Sequence, residues 1–305
     1  MTKSSRLLDI MQLEPISTNI SERRSRIVGC RLGSDALFRV FDLLKTFADE
    51  LSNELTNTPD FVREVEKYIS DKNLSLDNRE AISRLCQVGI VYKSSGVTSI
   101  SFERDSLKAD RLPIPLESIQ FEVGLMFRLV ASKSLKNNAA VLVDFSRTPM
   151  FDVGGITSSP TPNSSEILVA GRTESWITAC SQKLEKCFDN YRSGLRWIHR
   201  AYMYEWLLVL LGIPFSFFSS SVAGEWVASY TKEQLQTPAT LFLFLIALLI
   251  FRGLFGLVKW LNPYMELKNS PLPFYVRFRN GLSSLIVTIV LGITATAIYS
   301  VMTSP

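Results

Sequence analysis

The apolar positions change their spacing three times along this chain. Behind Ser34, Leu37, Phe38, Phe41, Leu44, Phe47, Leu51 and Leu55 recur at helical period. Thr58-Pro59 opens a second helix, whose buried face is Phe61, Val62, Val65, Tyr68 and Ile69. Asp77 with Glu80 forms a capping box for a third helix ending near Gly89. The pattern then shortens to that of strands. Ile90-Val91-Tyr92, a Ser94-Ser95-Gly96 turn and an alternating run from Val97 to Phe102 predict a hairpin. Further strands are expected at 119–130, 139–145 and 167–170. From Glu174, with Thr173 as its cap, the helical period returns. Ile177, Cys180, Leu184, Cys187, Tyr191 and Ile198 fall at spacings of three and four, with Gly194 in one position, as a heptad seam or a packing face would. Beyond residue 200 the polar positions nearly vanish.

Three runs in that last part are apolar enough to span a bilayer, which takes ~20 residues: 202–221, 238–260 and 282–302. The first carries Glu205 and Pro214, the second Arg252, and the third has no charge from Gly281 to Pro305. Pro214 predicts a kink. Lys183, Lys186, Arg192, Arg196 and Arg200 precede the first run, Lys232 stands against Glu225 and Glu233 after it, and Lys268, Arg277 and Arg279 follow the second. Basic, not basic, basic is the pattern of three crossings from a cytosolic N-terminal side, with the C-terminus opposite. The expected order is a disordered tail (1–20), a winged-helix-like domain (21–110), a β-rich domain (111–173), a coupling helix (174–200) that runs straight into the membrane, and a transmembrane module (201–305). The fold class is thus an α+β cytosolic part with a small β-sheet, followed by an α-helical three-pass transmembrane module.

Composition narrows the function classes. The four cysteines lack C-x-x-C spacing and suit free thiols in a reducing compartment. The one histidine, His199, removes His-based metal sites and triads from the cytosolic part. No phosphate loop, carboxylate cluster or nucleophile–base pair is present, so neither an enzyme nor a cofactor is expected. Asp144, Arg147, Asp152 and Arg172 border a Gly/Ser/Pro loop and are the positions for a small ligand, against the plainer reading of Asp144 as a turn former. In the membrane part, Ser284, Thr288, Gly292, Thr296 and Ser300 form a four-residue stripe for helix packing or a pore wall, while Glu205 and Arg252 form a candidate intramembrane pair. Arg252 otherwise snorkels to the headgroups.

Three helices and a hairpin, with the run AISRLCQVGIVYKSSGVTSISF, resemble the third helix and wing of winged-helix domains. The resemblance covers about residues 34–105 and implies a contact with DNA or protein. Residues 21–110 hold fourteen Lys/Arg against fifteen Asp/Glu, which favours protein over nucleic acid. The expected partners are therefore the lipid bilayer, further copies of the chain, and a protein or small ligand at the cytosolic domain. The whole arrangement is similar in outline to membrane effectors of bacterial defence systems. A membrane-tethered regulator and an accessory subunit of a membrane complex are the alternatives.

Overall fold

The computed structural model describes residues 20–71, 76–132, 134–146, 161, 163–200, 202–230 and 233–268, with a subset of helical positions between 281 and 299. The chain divides into two units. One comprises residues 1–145, 164–192 and 265–269, and the other 146–163, 193–264 and 270–305.

The first unit is built on a six-stranded antiparallel sheet in the order β1-β7-β6-β5-β3-β4. Its strands are β1 (Ser21–Arg26), β3 (Val88–Ser94), β4 (Val97–Ser101), β5 (Ser118–Val123), β6 (Asn138–Asp144) and β7 (Glu166–Gly171). Ile90, Phe121, Val141 and Ile167 stand opposite one another across four strands, and all are at most 1% exposed. The helical period places α1 (Ser34–Thr56) against this unit, with Leu37, Leu44 and Phe47 turned inward. α2 (Pro59–Asp71) and α3 (Asn78–Cys86) pack on α1 and on each other, and α3 leads directly into β3. The sequence thus yields its three helices and hairpin, but the hairpin is no separate wing. β3 also pairs with β5, so the sheet continues across the boundary expected at residue 110.

Three elements differ from expectation. The run 119–130 is β5 followed by α4 (Leu125–Ala131), because Gly124 turns the chain at φ 71°, where a Cβ is disfavoured. β1, SERRSR, was not expected at all: as an edge strand it keeps its charged side chains in water. The coupling helix is the largest correction. α5 (Glu174–Asp189) stops at Asn190, a 3₁₀ turn occupies Gly194–His199, and Tyr202 takes a left-handed φ of 64° before the next helix begins. The helix does not run from residue 174 into the apolar segments.

α5 spends its apolar face within the first unit. Ile177, Cys180 and Leu184 of the expected seam are buried together with Ser181 and Phe188, and the helix packs on β7, β1 and α1. Cys187 is half-buried. Tyr191 lies past the helix end and donates its hydroxyl hydrogen to Asp35 Oδ2 at 2.9 Å. Ile198 belongs to the second unit, in the 3₁₀ turn. The six positions therefore do not form one seam; most of them pack on the sheet and helix of their own unit.

The second unit contains two long helices, α6 (Met203–Val227) and α7 (Glu233–Leu261). Within α6, residues Leu208–Gly212 form a π-helical turn just before Pro214. Proline has no N–H to bond the carbonyl four residues back and its ring crowds that carbonyl, and the helix widens locally just ahead of it. The described positions between 281 and 299 are all helical.

Candidate functional site

α6 and α7 are the two described helices long and apolar enough to cross a membrane. At 1.5 Å per residue, their 25 and 28 residues measure about 38 and 42 Å, against a hydrocarbon core of ~30 Å. They pair as an antiparallel hairpin through a narrow seam: Tyr204, Phe215, Ala247 and Phe251 form its buried cluster. Gly212 leaves room for the Phe251 ring, since a Cβ there would lie 2.8 Å from it. Phe217 and Phe244 meet at 4.8 Å further along, and Gly224 lies beside Thr240.

The outer faces are bare. Only 22% of the apolar window of α6 and 11% of that of α7 are buried within the chain. Val209, Leu210, Phe217 and Val222 on one helix, and Leu241, Phe242, Leu245 and Leu249 on the other, are each at least half exposed. A core helix of a water-soluble protein hides such a face; here the exposed area is continuous along both helices. Tyr202 and Trp206 stand at one end of the hairpin and Trp226 and Tyr230 at the other, as amphipathic rings do at membrane interfaces.

Of the two ionisable residues singled out in the spans, Arg252 has its guanidinium 5.3 Å from the Tyr204 ring centroid, and Glu205 is the residue next to that tyrosine in sequence.

At the root of the hairpin, His199 ties its two ends together. Its Nδ1 is 2.8 Å from Thr161 Oγ1, and its Nε2 is 2.8 Å from the Asn262 carbonyl oxygen. A carbonyl only accepts, so Nε2 carries the hydrogen and Nδ1 of the neutral ring accepts from the threonine. Burial, with the Lys259 ammonium nearby, lowers the imidazole to about 4. Tyr264 packs edge-on against the ring at 5.4 Å. The histidine is a structural clasp.

The chain then returns. β8 (Met265–Leu267) pairs in parallel with β2 (Cys30–Leu32), in the first unit. Cys30 stands opposite Met265 and also bridges Arg192, the last residue before the chain departs. Departure and return are therefore fastened at one place. Arg31 and Glu266 form an ion pair at 3.1 Å, and Lys268 N–H donates to the Leu32 carbonyl at 2.7 Å.

Of the four ligand positions read from the sequence, Asp144 and Arg172 are described. Arg147 and Asp152 lie outside the described residues. Asp144 closes β6, where its Oδ2 accepts from Ser164 N–H at 3.0 Å and its own N–H donates to Ser165 Oγ at 2.8 Å. These bonds tie the end of β6 to the segment that leads into β7. Arg172 follows β7, its N–H bonded to Asn137 and its side chain exposed. β6 and β7 are antiparallel, so Asp144 and Arg172 sit at opposite ends of the pair, roughly 26 Å apart at 3.3–3.4 Å per residue. Of the four, the described pair forms no joint site.

Sequence reasoning missed a polar cluster on β5. Glu122, Gln120 and Asn138 are buried, and Arg128 of α4 reaches Glu122 Oε2 at 2.6 Å. Gln120 Nε2 donates to the same oxygen at 3.1 Å. Desolvation lifts the Glu122 carboxyl above its ordinary value despite the adjacent guanidinium. Alternation along QFEV was the available signal, since both polar residues fall on one face of a strand buried on both faces.

The thiols are inert as placed. All four cysteines are unbridged, and burial pushes Cys86 up to about 12 and Cys180 to about 11. Among the described residues no group of His, Cys, Asp and Glu is arranged to hold a metal.

In the third apolar run, Thr288, Gly292 and Thr296 share an exposed helical face, and Thr296 Oγ1 donates to the Gly292 carbonyl at 2.9 Å. A Cβ on Gly292 would meet nothing within 4 Å among the described residues. Ser284 and Ser300 lie outside the described residues. No family model, curated protein or solved structure matches the chain, so the functional reading rests on this geometry alone.

Proposed function

We propose that this chain is a membrane-anchored effector: a sensing or docking domain on the cytosolic side controls a helical module that self-associates and permeabilises or remodels the bilayer. The observation that carries the reading is the hairpin, whose two helices hide a narrow seam from each other and leave the rest of their apolar surface uncovered. Fastening Arg192 and Met265 at Cys30 gives both hairpin ends to the cytosolic unit, as a two-pass excursion requires. The basic residues Arg192, Arg196 and Arg200 on one side of the hairpin and Lys268 on the other favour that same side. The third apolar run then crosses once and carries the C-terminus to the opposite face. Its Thr288–Gly292–Thr296 stripe is the surface for further copies, because small residues let helix backbones approach and hydroxyls bond across them.

The test is membrane potential and dye uptake in cells that express the full chain. Gly292→Leu with Thr296→Leu should abolish both signals while leaving the protein in the membrane. Undiminished depolarisation by that variant would sink the proposal. A truncation at Arg200 is the wrong comparison, since it also deletes β8 from the first unit.

The tethered-regulator reading has less support. The hairpin expected as a wing is built into the larger sheet, and Arg84 of the would-be recognition helix is already paired with Glu80 at 2.7 Å.

A further inference from the structure

The two edges of the six-stranded sheet are made of opposite chemistry. β1 presents Ser-Glu-Arg-Arg-Ser-Arg, and its charges guard that edge against a further strand. β4 presents Val-Thr-Ser-Ile-Ser, without a charge, proline or bulge, and nearly all of it is exposed; Val97 is 64% and Ile100 47% exposed. Among the described residues no strand pairs with its outer side.

The hairpin geometry fixes which backbone groups face outward. Ser95 and Gly96 both have positive φ, 48° and 80°, which makes a two-residue loop of the primed type closed by the Ser94–Val97 pair. In such a loop the closing pair is hydrogen-bonded, and bonded and non-bonded pairs alternate from there. Val97, Ser99 and Ser101 therefore bond to β3. Thr98 and Ile100 turn their N–H and C=O groups away from it, toward an unoccupied position.

We propose that β4 is an isologous pairing edge. Two copies of this chain join their Val97–Ser101 strands antiparallel about a two-fold axis at Ser99, and the two sheets become one. The strand's own sequence argues for a second copy as the occupant. In the register centred on Ser99, Thr98 of one chain faces Ile100 of the other, and these are the residues whose backbone groups point outward. Both hydrogen-bonded positions are satisfied on both chains by one symmetry operation. The same register sets β-branched Thr98 beside β-branched Ile100 on one face and opposes no charges within the strand. β1 paired with itself in the equivalent way would bring its arginines together. This inference does not depend on whether the hairpin crosses a bilayer.

Oxidative crosslinking of the full chain tests it. Ser99 of each copy falls at a non-hydrogen-bonded position, where facing Cβ atoms stand ~4.5–5.5 Å apart, near the separation that a disulfide spans. Ser99→Cys should give a covalent dimer, whereas Val97→Cys, which faces Ser101, should give none; the wild type, with its native thiols, is the background. Thr98→Pro added to Ser99→Cys removes an N–H that points away from β3, leaves the hairpin bonds in place, and should abolish the crosslink. A monomeric Ser99→Cys chain would overturn the proposal, as it would be if a peptide of another protein held this edge. Equal crosslinking by Val97→Cys and Ser99→Cys, or a crosslink that survives Thr98→Pro, would also overturn it. Adding Gly292→Leu and Thr296→Leu separates the two associations: the Ser99 crosslink should persist even when the helical stripe no longer associates.

Discussion

Phe47 and Phe217 are the same side chain set in opposite surroundings. Phe47 is 2% exposed, with its ring 6.4 Å from Trp176 in the first unit. Phe217 is 62% exposed on the hairpin, touching Phe244 along one edge. The contrast extends to the regions around them. In the sheet unit the apolar residues of α1, α5 and the strands face inward, while charges such as the exposed Arg104–Asp42 pair lie outside. In the hairpin only a seam is inside, and the outside is leucine, isoleucine and phenylalanine. The difference teaches how much of its apolar surface each region hides within the chain: most of it in the sheet unit, only a seam in the hairpin.

Substitution by alanine should separate the regions most sharply. Phe47→Ala opens a cavity in a closed core and should cost ~3–5 kcal/mol, whereas Phe217→Ala loses one ring contact worth ~0.5–1.5 kcal/mol. Urea titration followed by limited proteolysis reads both, and equal losses would break the contrast. Next in size, Leu245→Lys on the bare face of α7 should weaken membrane insertion by about 3 kcal/mol, seen as release by alkaline carbonate. If that face met water, the same change would stay within ~0.5 kcal/mol and nothing would be released. Gly212→Val forces the seam apart at Phe251 and should cost ~1–3 kcal/mol in thermal stability of the hairpin, with the sheet unit unaffected.

The smallest effect concerns pH in the sheet unit. Burial raises the Glu122 carboxyl above its ordinary 4.5, so over that window the native state holds a proton that the unfolded chain has released. Stability should therefore fall as pH rises from the ordinary carboxylate value through the raised one. Glu122→Gln should flatten that slope in a pH series of urea midpoints; an unchanged slope would remove Glu122 as its source.

Much of the fold was legible because it is local. α1 to α3 announce themselves by their period, although Gly33 and not Ser34 precedes α1 and the Asp77 side chain makes no cap bond at α3, and β6 and β7 by short apolar runs between turn residues. What failed was decided by distant partners. SERRSR reads as loop until β7 supplies its ladder, and Met-Glu-Leu is too short to read as a strand without β2. The α5 seam has the spacing of a coiled coil and of a sheet-packing helix alike, and only the presence of β1 and β7 distinguishes them. The ligand quartet joined residues near in sequence pattern, but antiparallel pairing sends Asp144 and Arg172 to opposite ends. The pair in the spans was legible only as two charges: Arg252 lies over the Tyr204 ring, and that tyrosine gave no charge signal in the sequence.

The β2–β8 pairing has a consequence for biosynthesis. β2 leaves the ribosome well before its partner strand, which is made only after α6 and α7. Until then Cys30 and Leu32, buried in the finished protein, lack the neighbour that covers them. Closing so long a loop carries an entropic cost that grows only slowly with length, so the delay burdens the rate of folding more than the final stability. The sheet unit is thus completed last, after the hairpin has been synthesised. A chain stalled before Met265 would lack β8 and present an unfinished first unit.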